Sequence, residues 1–290
     1  MLEGFHPVVR AWFARRFPDG PTEPQALGWA RISEGRHTLI AAPTGSGKTL
    51  ASFLVCIDRL YRTAEASVPV ETGPQVVYVS PLKALAVDVH ENLELPLREI
   101  RAVAEELGST APELRVSLRT GDTAASERAA MLRRPPNFLI TTPESLYLMV
   151  TAERSRRMLG WVETVIVDEI HAVAGNKRGS HLALTLERLG GLCDRQPQRI
   201  GLSATQRPIE TIARLLVGAA ADRSESDGSP RCSVVDVGHR RPLHMSLELP
   251  DQEPGAVTSA EQMAEILDRI AKHVADHRTT LVFVNTRRMA

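Results

Sequence analysis

Short apolar runs alternate along the chain with longer segments in which apolar residues recur three and four positions apart. The runs are nearly continuous, as in strands buried on both faces, and the longer segments have the period of a helix. The predicted strands cover residues 37–42, 75–80, 114–119, 138–141, 164–168, 199–203 and 233–237. The predicted helices cover residues 49–62, 85–107, 144–150, 181–193 and 209–216. This alternation predicts an α/β fold with a doubly wound parallel sheet.

The last part of the chain has a separate pattern. Residues 219–230 are small and polar and are predicted to form a surface loop, and residues 251–259 are predicted to be a linker. Residues 260–277 then have the period of one amphipathic helix, and residues 279–285 have the composition of one strand. One helix and one strand cannot bury a core of their own. We therefore expect one domain over residues 1–250 and the truncated beginning of a second α/β domain over residues 260–290.

Composition excludes several classes of protein. The 290 residues include 35 Lys+Arg and 35 Asp+Glu, so any nucleic-acid binding has to come from a local site and not from an overall basic charge. The apolar runs are far shorter than the roughly 20 residues that span a bilayer, and the N-terminus lacks a signal-peptide pattern. We therefore expect a cytoplasmic protein without a membrane partner.

The wide spacing of Cys56, Cys193 and Cys232 favours free thiols over disulfides or a zinc site.

The strongest chemical pattern is APTGSGKT at residues 42–49, between a predicted strand and a predicted helix. Its glycines allow backbone N–H groups to surround phosphate oxygens, and Lys48 adds positive charge for the terminal phosphates. The Thr49 hydroxyl can bind Mg²⁺. Ala42 stands where the general pattern has Gly, which makes the loop entry less flexible. A glycine-rich turn with a surface lysine is the alternative. The predicted nucleotide-binding residues are Thr44, Gly45, Ser46, Gly47, Lys48 and Thr49.

Two carboxylates follow the predicted strand at 164–168, at the edge where parallel sheets bind ligands. Asp168 would hold Mg²⁺ and Glu169 would orient or deprotonate the attacking water, because these roles need carboxylates with different neighbours. A helix cap is the alternative for this pair. His171 could link the nucleotide site to another element, or it could be a structural histidine. The predicted catalytic residues are therefore Lys48, Asp168, Glu169 and His171.

The Ser-Ala-Thr run at residues 203–205 completes an ordered set of motifs, although alone it would be a helix N-cap. The set resembles the superfamily 2 helicases. SPLKAL at 80–85, RTGD at 119–122, TTPESL at 141–146 and DEIHAVAGNKRGSHL at 168–182 extend the similarity to the large helicase-related (Lhr) family of bacterial and archaeal DNA-repair helicases. That resemblance implies RecA-like domains, ATP with Mg²⁺, 3′-to-5′ translocation on single-stranded DNA, and unwinding of duplexes or DNA–RNA hybrids, with RNA left open.

The resemblance also implies roles for single residues. Gln25 would bind adenine with Thr22 beside it, although a plain helix start explains the same segment. Stacking on the base is open among Trp12, Phe13 and Phe17. Coupling between ATP and nucleic acid is implied for Ser203, Ala204 and Thr205. The implied nucleic-acid contacts are Pro81, Lys83, Arg119, Thr120, Gly121, Thr141, Thr142, Pro143 and Glu144.

These implied contacts follow predicted strands, so they should share one edge of the sheet and bind phosphate groups with slight sequence preference. Solvated surface charge is the alternative for Lys83 and Arg119. The arginines at 154, 156 and 157 are predicted to be a solvated helix face. Lys177 and Arg178 fit an interdomain or DNA-binding role and a surface loop equally well.

The family's arginine fingers belong to a second domain, and neither Arg287 nor Arg288 can be assigned as one. We therefore expect an ATP-dependent helicase or translocase module that needs a second RecA-like domain or a downstream polypeptide. The alternative is a fragment that binds ATP and nucleic acid without hydrolysis or unwinding. A P-loop kinase or GTPase is disfavoured, because neither explains Asp-Glu-Ile-His together with Ser-Ala-Thr at this spacing.

Overall fold

The computed structural model describes residues 2–66, 73–238, 245–251 and 258–284. Contacts along the chain define two compact units, Met1–His239 and Arg240–Ala290. The predicted boundary lies later, at residues 251–259, and residues 252–257 of that linker are outside the described residues. The division into two helicase domains therefore stays a prediction.

A parallel sheet forms the centre of the first unit. Its strands are β1 (Thr38–Ala41), β2 (Val76–Val79), β3 (Val116–Arg119), β4 (Phe138–Thr141), β5 (Thr164–Val167), β6 (Gln198–Ser203) and β7 (Ser233–Asp236). The sheet has seven strands in the order β3-β4-β2-β5-β6-β1-β7, and every neighbouring pair is parallel. Each strand overlaps a predicted run. The predicted doubly wound α/β fold is confirmed.

Helices cover both faces of this sheet. They are α1 (Pro7–Arg16), α2 (Glu23–Ser33), α3 (Lys48–Glu65), α4 (Lys83–Glu106), α5 (Ala125–Arg133), α6 (Pro143–Thr151), α7 (Glu153–Leu159), α8 (His171–Ala174), α9 (Lys177–Gly190) and α10 (Ile209–Val217), with short 3₁₀ turns at Leu2–Gly4 and Ala221–Arg223. The predicted helices are confirmed as α3, α4, α6, α9 and α10. The remaining helices, α1, α2, α5, α7 and α8, were not predicted. Length alone does not explain this, because α6 and α10 have nine residues each, as α5 does, but α5 buries only Met131.

The strands are buried on both faces, which explains their continuous apolar sequence. Ile40 of β1 packs in a core with α1 to α4, whereas its neighbour Leu39 packs in a second core with α6, α7, α9 and α10. Tyr78 and Val77 of β2 divide between the two cores in the same way. Side chains of successive strand residues point to opposite faces, so every residue of such a strand meets apolar neighbours.

The predicted start of one helix and one predicted loop differ from the structure. Helix α9 begins at Lys177 and not at residue 181, because the Asn176 side chain accepts a hydrogen bond from the Arg178 backbone N–H at 2.9 Å. Gly179 in that first turn lies against the backbone of Val173, which needs a residue without a side chain. The predicted surface loop at 219–230 contains a 3₁₀ turn that buries Arg223, whose guanidinium bonds Glu187.

The second unit contains helix α11 (Ala260–Asp276), which confirms the predicted helix at 260–277. The Ser259 hydroxyl accepts a hydrogen bond from the Gln262 backbone N–H at 3.2 Å and so caps its start. The predicted strand at 279–285 is wrong for its described part, because residues 279–284 pair with no described strand and Phe283 is 90% exposed. Residue 285 lies outside the described residues.

Two further sequence expectations concern membranes and cysteines. Across the described ranges, no helix combines the length and the apolar character that crossing a membrane requires. The three cysteines, Cys56, Cys193 and Cys232, are free thiols, as their spacing predicted.

Candidate nucleotide and nucleic-acid site

The phosphate loop lies between the end of β1 and the start of α3, at the carboxyl edge of the sheet. Gly45 and Gly47 have φ of +80° and +82°, a left-handed conformation that favours glycine. A side chain at position 47 would also collide with the amide of Gln25. Ala42 continues the β ladder by donating its N–H to the Ser203 carbonyl at 3.1 Å, so the loop does not need a glycine at its first position.

Lys48 lies inside this loop and is only 5% exposed, which excludes the alternative of a surface lysine. Its Nζ is 3.5 Å from the Ala42 carbonyl and 3.7 Å from a carboxylate oxygen of Glu169. The Ser46 hydroxyl is buried without a hydrogen-bond partner in the described structure. A buried, unpaired hydroxyl beside a lysine and two left-handed glycines fits a phosphate group, because the phosphate would satisfy both polar side chains.

Asp168 follows β5 and is 6% exposed. The Tyr78 hydroxyl of β2 donates a hydrogen bond to the Asp168 carboxylate and is also hydrogen-bonded to Thr49. Burial raises the pKa of Asp168 above its usual value, and burial followed by the nearby Asp168 charge raises the pKa of Tyr78. Tyr78 therefore stays a donor near neutral pH.

The Tyr78 hydroxyl is thus hydrogen-bonded to the side-chain oxygen atoms of both Asp168 and Thr49. Oxygen donors suit Mg²⁺, which usually takes few protein ligands and completes its shell with water and substrate phosphates. The two predicted metal-binding side chains therefore fit a nucleotide-bound Mg²⁺.

Glu169 has φ of +43°, and no other described residue except glycine has a positive φ. This conformation is costly for a side chain with a Cβ and is found most often at functional sites. It turns the chain sharply after β5, so that Glu169 lies between Lys48 and His171. A residue that only caps a helix would not need this positive φ.

His171 connects Glu169 with the Ser-Ala-Thr run after β6. Its Nε2 is 3.3 Å from a Glu169 carboxylate oxygen, and its Nδ1 accepts the Ala204 backbone N–H at 3.2 Å. The Ser203 hydroxyl is also 3.2 Å from Nδ1. Because Nδ1 is an acceptor, the proton is assigned to Nε2, which faces Glu169. The Thr205 hydroxyl is buried without a partner in the described structure.

The segment at Thr22 and Gln25 is a helix start and a contact with the phosphate loop at once. Gln25 accepts the Thr22 backbone N–H at 2.9 Å, which begins α2. Thr22 then donates to the Ser46 carbonyl at 2.7 Å, and the Gln25 amide donates to the Gly47 carbonyl at 3.3 Å. The helix start is therefore present, and adenine binding by Gln25 stays a prediction.

A cavity of about 470 Å³ lies beside this loop. One wall consists of predicted nucleotide and catalytic residues, and the other consists of α3 and α4 side chains. The predicted residues in that wall are Thr44, Gly45, Gly47, Lys48, Thr49, Asp168 and Glu169. Among the aromatic candidates for stacking, Trp12 and Phe13 are buried in the core, and Phe17 is partly buried against it.

The implied nucleic-acid contacts follow β2, β3 and β4, which are adjacent in the sheet. Lys83 is exposed, with Nζ 2.8 Å from both carboxylate oxygens of Asp122. Arg119 is 9% exposed and donates to the Thr120 carbonyl, so it is not a solvated surface charge. The Thr142 hydroxyl caps α6 by accepting the Ser145 N–H at 3.4 Å.

The remaining implied contacts are less accessible or lie at loop tips. The Thr141 side chain is fully buried and donates to the Arg119 carbonyl at 2.6 Å. Pro81 and Pro143 are buried. Gly121 and Glu144 are exposed. The structure therefore brings all of these segments to one edge and leaves Lys83, Gly121 and Glu144 open to solvent.

Two residues at the site were not assigned from the sequence. Tyr78 could have been noticed as a hydroxyl-bearing residue in the otherwise aliphatic run VVYV. For Arg178 the sequence fitted an interdomain or DNA-binding role and a surface loop equally well. In the structure its guanidinium donates to the Pro81 carbonyl and to the Glu144 carboxylate. The arginines at 154, 156 and 157 form an exposed face of α7, as predicted.

Known proteins are similar to this chain in sequence and in fold. The sequence model of the DEAD/DEAH box helicase family matches residues 22–213. Over 283 residues the chain is 46% identical to the ATP-dependent helicase Lhr-Core of Methanothermobacter thermautotrophicus, with 97% of this chain and 32% of the relative covered. Over 298 residues it is 44% identical to the Lhr helicase/uracil glycosylase of Escherichia coli, with 99% of this chain and 19% of the relative covered.

A solved structure is also similar: that of Mycobacterium smegmatis helicase Lhr bound to ssDNA and AMP-PNP, with a TM-score of 0.82 and 47% identity. The match covers 100% of this chain and 35% of that one. The chain therefore spans about a fifth to a third of the length of the relatives that it matches. The RecA-like fold and the similarity to Lhr helicases, both predicted from the motifs, are confirmed.

Proposed function

This chain belongs to the DEAD/DEAH box helicase family, and we propose that it is the ATP- and nucleic-acid-binding domain of an ATP-dependent helicase or translocase. The observation that carries the proposal is a continuous series of contacts from the phosphate loop to the far side of the site. It runs from Lys48 to Glu169 at 3.7 Å, from Glu169 to His171 at 3.3 Å, and from His171 to Ala204 at 3.2 Å. Such a path can transmit the state of the nucleotide to another element.

The residues of this path have complementary tasks in hydrolysis. Lys48 neutralises charge on the terminal phosphates, and the backbone N–H groups around Gly45 and Gly47 bind their oxygens. Thr49 and Asp168 would hold Mg²⁺, which neutralises the charge that develops on the phosphates. Glu169, kept close to Lys48 and His171, orients a water molecule and accepts its proton.

The nucleic acid would bind at the edge formed by the ends of β3, β4 and β2. Lys83 supplies positive charge there, and the N-terminus of α6 offers backbone N–H groups to a phosphate. Contacts of this kind recognise the backbone and not the bases. The solved helicase with the similar fold is bound to ssDNA, which supports single-stranded DNA as the substrate of this chain.

The finer assignments rest on the family resemblance alone. They are 3′-to-5′ movement, unwinding of duplexes or DNA–RNA hybrids, and a role in DNA repair. The cytoplasmic location is a prediction from the sequence. The family resemblance also implies that turnover requires a second RecA-like domain with arginine fingers, since fingers contribute about 10³–10⁵ in rate in related sites.

The test is Glu169→Gln in a longer polypeptide that includes a complete second RecA-like domain. The variant should keep ATP and single-stranded DNA binding and lose DNA-stimulated ATP hydrolysis by at least about 10²-fold, as expected when a general base is removed. Glu153→Gln, an exposed change on α7, is the matched control and should hydrolyse ATP normally. Normal turnover by Glu169→Gln would mean that water is activated elsewhere. Binding without any turnover in the parent would favour the non-hydrolysing alternative.

A further inference from the structure

Arg178 joins two segments that are far apart in the sequence. Its Nη2 donates to the Pro81 carbonyl at 2.7 Å, and its Nε donates to the Glu144 carboxylate at 2.8 Å. Pro81 belongs to the loop between β2 and α4, whereas Glu144 lies in the first turn of α6. One guanidinium thus bridges the two loops that leave the neighbouring strands β2 and β4.

The position of Glu144 needs an explanation. A carboxylate beside a phosphate backbone repels it, and Glu144 is exposed among the residues implied to contact nucleic acid. Although its partial burial alone would raise the pKa, hydrogen bonds from Arg178 and from the backbone lower the pKa of Glu144 below its usual value. Its charge is therefore present at neutral pH and is directed at Arg178.

The bridge is poorly suited to stabilising the fold. Both side chains are well exposed, at 43% and 57%, and exposed ion pairs contribute little to the free energy of unfolding. What the bridge does fix is geometry, because the guanidinium fork holds two acceptors at set directions. The Asn176 side chain, which accepts the Arg178 backbone N–H, fixes the start of α9 beneath it.

We propose that Arg178 is a positioning residue, held by Glu144, that sets the distance between the Pro81–Lys83 loop and the N-terminus of α6 so that both can bind one nucleic-acid strand. This inference rests on the proposed function. Arg178 lies nine residues after Glu169, at the end of the segment that carries His171. The bridge therefore also joins the nucleic-acid edge to the segment that follows the catalytic carboxylates.

The direction in which Glu144→Ala changes the affinity for nucleic acid tests this positioning role. If Glu144 holds Arg178 in place, Glu144→Ala should weaken binding of a labelled oligodeoxythymidylate by about threefold to tenfold, although it removes negative charge. If Glu144 is only a carboxylate near the backbone, the same variant should bind more tightly. Binding is measured by fluorescence anisotropy on the whole chain at several salt concentrations.

A second variant separates bridging from charge. Arg178→Lys keeps the positive charge but lacks the planar fork, so its affinity should fall by a similar factor while the salt dependence stays unchanged. The double variant should be no weaker than the weaker single variant, because both changes remove the same bridge. ATP affinity and the midpoint of thermal unfolding should stay at the parent values in each case.

The exposed pair of Arg157 and Glu153 on α7, 2.7 Å apart, provides matched controls. Arg157→Lys and Glu153→Ala should leave nucleic-acid affinity unchanged. Tighter binding by Glu144→Ala, or parent affinity in Arg178→Lys, would overturn the positioning role and leave the proposed function standing. A parent chain without saturable binding to the oligonucleotide would overturn the proposed function, and this inference with it.

Discussion

The hydroxyl group of Tyr78 donates a hydrogen bond to the carboxylate of Asp168, at the point where the neighbouring strands β2 and β5 end. The Tyr78 ring stacks on Phe53 of α3 with centroids 5.0 Å apart, which fixes the position of the ring that carries this hydroxyl. Hydrogen-bond partners of metal-binding side chains orient them, and removing such a partner typically lowers metal affinity by about 10–100-fold. We therefore predict that Tyr78 orients Asp168 for the Mg²⁺-binding role proposed for that carboxylate.

Tyr78→Phe should raise the Mg²⁺ concentration needed for half-maximal ATP binding by about tenfold, because Asp168 loses its orienting donor while the ring packing is kept. The measurement is an ATP titration at a series of Mg²⁺ concentrations. Tyr61→Phe, which changes another buried tyrosine of the same core, is the control. An unchanged Mg²⁺ requirement in Tyr78→Phe would remove this residue from the site.

His171→Ala should separate ATP hydrolysis from nucleic-acid binding. The variant loses the only described link between Glu169 and the backbone of Ala204, but it leaves the phosphate loop intact. In a polypeptide with both RecA-like domains, we expect near-parent ATP affinity and a ratio of DNA-stimulated to basal hydrolysis that falls toward one. If stimulation survives in full, coupling passes through other residues and His171 is structural.

Lys83→Ala should weaken binding to single-stranded DNA equally for all sequences. Removing one phosphate contact should also reduce the slope of log affinity against log salt by about 0.7, the value for one charge on a single strand. Lys83 is a cleaner target than Arg119, whose burial means that its removal would also disturb the end of β3. Arg154→Ala on the solvated face of α7 is the control. If Lys83→Ala has the same salt slope as the parent, Lys83 does not contact a phosphate group of the nucleic acid.

The lowered pKa of His37 leads us to predict that the free energy of unfolding depends on pH, whatever the function of the protein. Burial, followed by the charges of Arg199 and Arg223, lowers its pKa from 6.5 to about 4. Between these values the unfolded chain binds a proton that the folded chain does not, so the free energy of unfolding falls as the pH falls from 6.5 to 4. Allowing for partial exposure, the loss is about 1–2 kcal/mol.

His37→Gln should therefore lose less stability than the parent over that pH range. Urea unfolding at pH 6.5 and at pH 4.5 measures the difference, and comparing the two proteins cancels the titration of other groups. The Arg199 backbone N–H donates to His37 Nδ1 at 3.0 Å, which is the hydrogen bond that protonation would break. Equal losses in the two proteins would show that His37 does not titrate in this range.

The strands were the most predictable part of the fold, because a strand buried on both faces must be apolar throughout. The phosphate loop and the Asp168-Glu169 pair were predictable for a related reason: each combines particular residue types with a position after a strand. Helix α5 was not predictable because it buries only Met131, whereas α6 and α10, with the same nine residues, each bury several apolar side chains. The predicted strand at 279–285 has a suitable composition, but composition does not supply a partner strand.

The contacts that organise the site depend on distances that the sequence does not contain. Tyr78 meets Asp168 only because β2 and β5 are adjacent and in register at their ends. Arg178 reaches Pro81 and Glu144 only because α9 begins four residues earlier than its apolar pattern indicates. Both residues are polar groups whose partners lie on other elements, so no local pattern identifies them.

The most direct test of the central claim is a calorimetric titration of the chain with ATP and Mg²⁺, compared with Lys48→Ala. Lys48 is buried in the phosphate loop, where its charge has no partner but Glu169 within 4.0 Å among the described residues. We predict saturable binding by the parent and an affinity at least about tenfold lower for Lys48→Ala, the loss expected for one charged hydrogen bond. The midpoint of thermal unfolding should show that the variant is folded. Equal affinity in a folded Lys48→Ala variant would contradict the assignment of a nucleotide site, and with it the proposed motor function.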